Sequence, residues 1–497
     1  MGAWVADAGP AANSATSQEP QRLAGHEYCV PLVLLGSLLL VGLIDIALML
    51  WVPSYARARP TAPHGSGSLH WWTLQVSLLG WIVLIVGVSW RRLRAHMPFV
   101  ILIALLTLNY LAIRPGGWYS NAAEDPIFDL KQADGYGTYD AEFYWKAALD
   151  YRSGLNPFKS NWYPPTFLKA FYPLCTVAPR TAFAIWWLIV CLSYLSCVIL
   201  TYGVGLDWGC SRLESAALAG IMWLHNQPAL ATARELQVNL IILSLLLLGY
   251  LVLSKHPLIS GVATAVATTV KGSPVLLALL MGAAGSVAWI ASFVVALSAL
   301  VGITMFGDGP GLWSQFFVTL ADKRWDSASL DSIFAWFWRG GQAALVIALL
   351  VKLAILIWAT SSILAFRRAI QRRNQPLVTK SILQQAAFAV GCCCMVLVAP
   401  VIWDYHRVWF VPALLFVWRY GNRRLLAPLL GVTALLIWLP AVSAVNFVSS
   451  VVPGLFLMWC IRPGMLAGFR EESALTYVIH SVGDWLCRQN GYVNTKT

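Results

Sequence analysis

Apolar runs close to the length of about 20 residues that crosses a bilayer as a helix recur from residue 28 to residue 461, separated by short polar turns. The pattern predicts an all-α polytopic membrane protein with about fourteen transmembrane helices, in a range of about 12–14. It divides the chain into a polar N-terminal tail (1–27), two transmembrane helices (28–96), a transmembrane domain (97–461) and a polar C-terminal tail (462–497). Two long polar loops, 114–180 and 307–341, interrupt that domain. Several apolar runs are short, as expected of broken or re-entrant helices that line protein or a cavity. Within the first loop, residues 140–152 carry apolar and aromatic side chains on one helical face, which predicts an amphipathic helix in the plane of the interface. The polar tail has no early apolar core, so the first apolar run is read as the insertion signal.

Composition supports this reading. The chain of 497 residues is 59% hydrophobic and 11% charged, whereas soluble chains run at about 45–50% and about 25%. Its mean hydropathy is +0.67. The net charge of +12 does not indicate nucleic acid, because the basic residues fall in short runs between apolar spans. Arg91, Arg92 and Arg94, then Arg367, Arg368, Arg372 and Arg373, then Arg419, Arg423 and Arg424 form the pattern of cytoplasmic loops. With fourteen spans these three runs agree. Both termini of this multi-pass membrane protein are then cytoplasmic, and the two long loops lie on the outer side. Arg57 and Arg59, after the first helix, disagree with this assignment. The ten cysteines have no metal-ligand spacing. Cys392, Cys393 and Cys394 sit together in an apolar run as small residues facing lipid or a helix, and Cys191 and Cys197 face different sides of one helix.

Four polar clusters could carry chemistry. Loop 114–180 has seven Lys/Arg and seven Asp/Glu, and Asp134, Asp140 and Glu142 offer carboxylates near the bilayer surface. Such a carboxylate can take a proton from a sugar hydroxyl; a solvated acidic loop is the plainer reading. Arg234, Gln237 and Asn239 stand at a helix start, where interfacial capping is the alternative. Lys271 closes one apolar span and precedes another, so it pairs with an anion or snorkels to water. Trp403, Asp404, His406 and Arg407 lie between two spans, where Asp404 could simply pair with Arg407. All four clusters emerge on the outer face, and carboxylate, lysine, arginine and histidine at one surface suit transfer from an anionic lipid donor.

These residues also carry a resemblance. The chain resembles glycosyltransferase family 87, the polyprenyl-phosphate-mannose-dependent mannosyltransferases of the GT-C superfamily, over about residues 97–440. The family's first-loop Asp, aromatic stretch, glycine and Tyr-Pro-Pro are matched by Asp140, Tyr144, Gly154 and Tyr163-Pro164-Pro165. Its Gly-Gln-Val-Asn is matched by Leu236-Gln237-Val238-Asn239, with leucine for glycine, and its Lys-x-x-Pro by Lys271 to Pro274. Its Asn-Gln-Ser-Leu is partly matched by Ser327-Ala328-Ser329-Leu330. Its Pro-x-x-Trp-Asp-His-His is matched by Pro400 to His406, with Tyr405 for the first histidine. The resemblance implies a GT-C-type fold over 97–461 and an inverting transfer of a hexose, mannose by family, to an acceptor hydroxyl. It implies Asp140 as general base, with Asp134 the alternative, and Lys271, Arg234 and His406 on the donor phosphate. Tyr144, Tyr163, Gln237, Asn239, Trp403 and Asp404 then line the substrate. The leaving group is already a stable phosphate, so neither metal nor cofactor is expected. The partners are membrane lipids, a polyprenyl-phosphate sugar and a lipid or glycan acceptor, with no nucleic acid. The altered motifs leave sugar and acceptor open, and no oligomeric state follows.

Two other readings compete. A lipid-linked-sugar transporter or flippase would spread charge along a path through the bilayer, often with internal repeats; here charge gathers at one surface. A scaffold of envelope glycan assembly with a degenerate site would tolerate Asp140→Asn.

Overall fold

The computed structural model describes residues 102, 140–159, 163–177, 179–224, 226–234, 236–323, 342–372, 378–399, 404–421, 423–438 and 446–461. The two helices expected over 28–96, Asp134, Trp403, residues 324–341 and the C-terminal tail lie outside them. So do the side chains of Glu142, Arg234 and Asp404.

The described elements are helical throughout. The amphipathic segment forms α1, Asp140–Arg152. It is followed by α2 (Pro165–Phe171), α3 (Pro179–Asp207), α4 (Arg212–Trp223) and α5 (Gln227–Arg234). Then come α6 (Asn239–Val252), α7 (Pro257–Val270), α8 (Leu276–Ala283), α9 (Val287–Asp308) and α10 (Pro310–Lys323). The chain continues with α11 (Gln342–Arg372), α12 (Val378–Val398), α13 (Val411–Tyr420), α14 (Leu426–Thr433) and α15 (Asn446–Cys460). Local chemistry sets many of the ends. Pro257 opens α7, where its missing N–H costs nothing. Ser211 and Glu214 close a reciprocal capping box on α4.

Among the described residues four helices are long and apolar enough to cross a membrane: Leu188–Asp207, Val287–Asp308, Val346–Gln371 and Lys380–Val398. Five further apolar helices, among them Asn239–Val252 and Pro257–Val270, are shorter. A bilayer core of about 30 Å exceeds the length of a 14-residue helix, about 21 Å at 1.5 Å per residue.

Helices α3, α6, α7 and α9 pack in sequence, each against the next, and α12 packs against α8, α11, α13 and α15. Helices α7 and α9 approach closely at Gly261, where a Cβ would sit 2.4 Å from the Trp289 carbonyl oxygen. Small residues at such contacts let helix backbones meet in an apolar medium. Cys392, Cys393 and Cys394 are fully buried in α12, so they face helices rather than lipid. By contrast α9 and α11 leave Val294, Val295, Ile303, Leu349 and Leu353 exposed, as lipid-facing surfaces do.

Contacts at the helix ends sort the molecule into two poles. At one, Lys255 pairs with Asp207 (2.6 Å), Arg419 donates to the Trp208 carbonyl and Arg367 donates to the Ala283 carbonyl. At the other lie the start of α1, the turn before α6, Lys271 after α7 and the 3-10 turn Asp404–Phe410.

Candidate functional site

The turn between α5 and α6 supplies the floor. Leu236 stands there at φ 53°, the one non-glycine residue in the left-handed region among those described. A leucine pays a steric cost in that conformation. Two anchors hold it: the Gln237 N–H donates to the Thr232 carbonyl (2.9 Å), and Trp186 Nε1 donates to the Leu236 carbonyl (2.8 Å). The twist aims Gln237 and Asn239, the first residue of α6, into the interior, both fully buried. Arg234, expected beside them at the start of a long helix, instead ends the separate short helix α5.

An aromatic wall stands over this floor. Tyr144, from α1, meets Tyr163, Phe167, Phe171 and Trp186 edge-on at ring-centroid distances of 4.8–6.1 Å. Its hydroxyl donates to the Tyr163 hydroxyl (2.9 Å), which donates to Gln237 Oε1 (3.2 Å). Asn239 Nδ2 donates to the same oxygen (3.4 Å). Burial raises both phenols above their ordinary range, and the negative charge of Asp140 adds to the effect at each. They remain hydrogen-bond donors. Among the described residues Gln237 Nε2 and Asn239 Oδ1 have no hydrogen-bond partner, though fully buried. A buried donor and a buried acceptor, both unsatisfied, are costly in a native core and mark a place where a ligand can complete the pairing.

Lys271 enters from the end of α7. Its backbone N–H closes the helix on Ala267 and its own conformation is extended, which turns the side chain out of the helical path. Nζ contacts His406 Nε2 and lies 5.3 Å from the Tyr163 ring centroid and 5.4 Å from that of Trp409. While Lys271 is charged it donates, so His406 accepts at Nε2 and carries its proton on Nδ1. His406 is fully buried, with its ring 4.7 Å from Trp409. Trp409 Nε1 in turn donates to the Asn239 carbonyl (3.4 Å), tying the 3-10 turn to α6. Beyond the end of α7, burial pushes the Lys271 ammonium down to about 7, while the Asp140 carboxylate pulls it up. An anion bound beside it would favour the charged form further.

The structure therefore gathers Asp140, Tyr144, Tyr163, Gln237, Asn239, Lys271 and His406 at one pole, with Asp140 acting electrostatically on Tyr144, Tyr163 and Lys271. Arg407 donates to the Leu435 carbonyl (2.8 Å) in the π-helical turn Ala434–Trp438, and its expected pairing with the Asp404 side chain lies outside the described residues. A regular helix would commit that oxygen to the amide four residues on; the π turn changes that register. Trp409 and Trp186 belong to the site although sequence assigned neither. Trp409 was visible as the end of the Trp403–Trp409 run, whereas nothing in the sequence tied Trp186 to residue 236.

Residues 161–400 match the family model described as glycosyltransferase family 87. The match is narrower than the expected 97–440. It includes Tyr163, Arg234, Gln237, Asn239 and Lys271, and leaves Asp140, Asp404 and His406 outside its limits. No curated protein and no solved structure matches the chain.

Proposed function

We propose that this chain, of which residues 161–400 match the glycosyltransferase family 87 model and which has apolar helices fit to cross a membrane, works as a membrane glycosyltransferase. The donor is a polyprenyl-phosphate hexose, mannose first among the sugars, and the acceptor is a hydroxyl of a lipid or glycan on the outer face. The observation that carries the reading is the meeting of Lys271 with His406 beside the unsatisfied amide atoms of Gln237 and Asn239.

Each group then has a task. Asp140 takes the proton of the acceptor hydroxyl, whose oxygen forms a bond to the anomeric carbon. The bond from that carbon to the phosphate oxygen breaks on the opposite face, so configuration inverts, and the phosphate leaves with the electron pair. General-base assistance of this kind supplies about 10²–10⁴ in rate. Lys271, supported by His406, stabilises the departing phosphate, a task the family resemblance extends to Arg234. Gln237 Nε2 and Asn239 Oδ1 hold sugar hydroxyls, one as donor and one as acceptor. Tyr144 and Tyr163 keep the amide of Gln237 oriented, and the family resemblance assigns Trp403 and Asp404 to the substrate as well. The gathering of polar groups at one pole favours transfer over transport through the bilayer.

The test is transfer itself. Purified protein in detergent, given radiolabelled polyprenyl-phosphate mannose and a lipid extract, is expected to yield a labelled product of inverted anomeric configuration. A product of retained configuration would remove the single-displacement mechanism. No product from mannose or from any other hexose donor would return the protein to the transporter or scaffold readings.

A further inference from the structure

A second polar feature lies away from this site. The C-terminal end of α1, α2, the end of α9 and the start of α10 line an open cavity of about 710 Å³. Tyr151, Arg152, Lys169, Asp308, Gly311 and Gln315 are among its walls. Lys169 pairs with Asp308 at 3.1 Å, and the Tyr151 hydroxyl donates to the same carboxylate. Arg152 is exposed, and among the described residues no carboxylate pairs with it. The cavity therefore holds two cations against one anion.

Its position is as informative as its charge. Asp308 is the last residue of a helix long and apolar enough to cross a membrane. Two residues earlier Phe306 is 96% exposed, and Ile303 is exposed one turn below it. On the other side of Gly309, whose φ of 82° turns the chain into α10, Phe317 and Val318 are exposed. Exposed apolar surface of this kind faces hydrocarbon in a membrane protein, so the cavity opens where lipid tails give way to head groups.

We propose that this cavity binds the phosphate head group of an anionic phospholipid, with Arg152 and Lys169 as its cationic contacts and the acyl chains along Ile303 and Phe306. The bound lipid joins α1, which carries Asp140 at its far end, to α9 and α10. The site goes beyond the transfer reaction and does not depend on it.

Native mass spectrometry of the purified protein tests it without any turnover, using phosphatidylglycerol, phosphatidylcholine and inorganic phosphate as probes. The wild type is expected to retain one phosphatidylglycerol more tightly than phosphatidylcholine. Arg152→Gln weakens retention about tenfold, as loss of a charge-assisted hydrogen bond does, and Arg152→Lys restores most of it. Gly311 has open space where a Cβ would go, so Gly311→Trp fills the cavity with every charge in place and is also expected to expel the lipid. Thermal midpoints of the variants separate loss of lipid from loss of fold. Equal retention of both lipids, or retention unchanged in Arg152→Gln and Gly311→Trp, would overturn the proposal. Displacement by millimolar phosphate would make this a soluble-anion site, and occupation by a soluble oligosaccharide in place of lipid would make it a glycan subsite; each also overturns it.

Discussion

At its N-terminal end α1 brings Asp140 up to the half-buried Lys271 and the buried Tyr144 and Tyr163; about 17 Å further along the same helix, at 1.5 Å per residue, Tyr151 and Arg152 face an open, charged cavity. The two ends use similar residue types under different dielectric conditions. Around Lys271 the neighbours are aromatic rings and a histidine that cover much of the side chain, so a charge there is partly desolvated and gains from a partner. Around Lys169 the salt bridge to Asp308 is partly solvated, and its contribution to stability is small. Chemistry that stabilises a developing phosphate charge belongs at the dry end, where each interaction is worth more. Reversible capture of a head group belongs at the wet end.

The comparison can be broken by removing charge at each end. The largest effect is expected from Lys271→Met, a fall of about 10²–10³ in kcat, the usual cost of deleting one transition-state electrostatic contact. Single-turnover rates with saturating donor measure it; a fall of less than tenfold would mean that the leaving phosphate sits elsewhere. Next is the pH profile. Lys271 titrates near 7, lowered by burial, so its charged form is present below that value and lost above it. kcat/KM for the donor therefore declines as pH rises beyond about 7. Stability moves the other way between about 7 and the ordinary lysine range, because there the unfolded chain binds the proton that the folded protein lacks. A kcat/KM profile flat to pH 9 would contradict this.

Smaller effects sharpen the floor of the site. Gln237→Leu strands the Tyr163 hydroxyl and removes the unpaired Nε2, so donor affinity should fall about tenfold, the value of one or two buried hydrogen bonds. Equilibrium binding of the donor measures it. At Leu236, glycine should destabilise less than alanine by about 1 kcal/mol, because only glycine adopts φ 53° without strain. Thermal unfolding of the two variants decides the sign. The smallest effect is Asp308→Asn, which breaks the pair with Lys169 and should cost no more than about 1 kcal/mol with transfer activity intact.

Much of this was legible in the sequence, and the reasons differ by region. The amphipathic spacing of 140–152 gave α1 at both ends, because a partly buried helix prints its period on the chain. The break at Lys271-Gly-Ser-Pro274 was legible because lysine, glycine and proline each interrupt an apolar helix for a separate reason. That several apolar runs are short was legible, and five shorter apolar helices are found among the described residues; which neighbours shelter their ends was not, since hydropathy records composition and not packing. Of the site, Asp140, Lys271, Gln237, Asn239 and His406 were named from sequence, and the structure places them together. Their convergence was not legible, because it depends on Trp186 and Trp409 reaching across to backbone carbonyls of the α5–α6 turn and of α6. The Leu236 strain was visible only as a leucine in a glycine's place. The Lys169–Asp308 cavity left no trace in the sequence: its cations and its carboxylate are separated by 139 residues or more, in segments that read as an even mixture of charge.

The central claim is that Asp140 is the base of a sugar transfer, and one comparison tests it most directly. Wild type and Asp140→Asn, matched in thermal midpoint and in equilibrium donor binding, are given the same labelled polyprenyl-phosphate mannose and acceptor extract. The account predicts full donor binding by both and a product rate about 10²–10⁴ lower in the variant. Equal rates would remove Asp140 as the base and contradict the mechanism built on it.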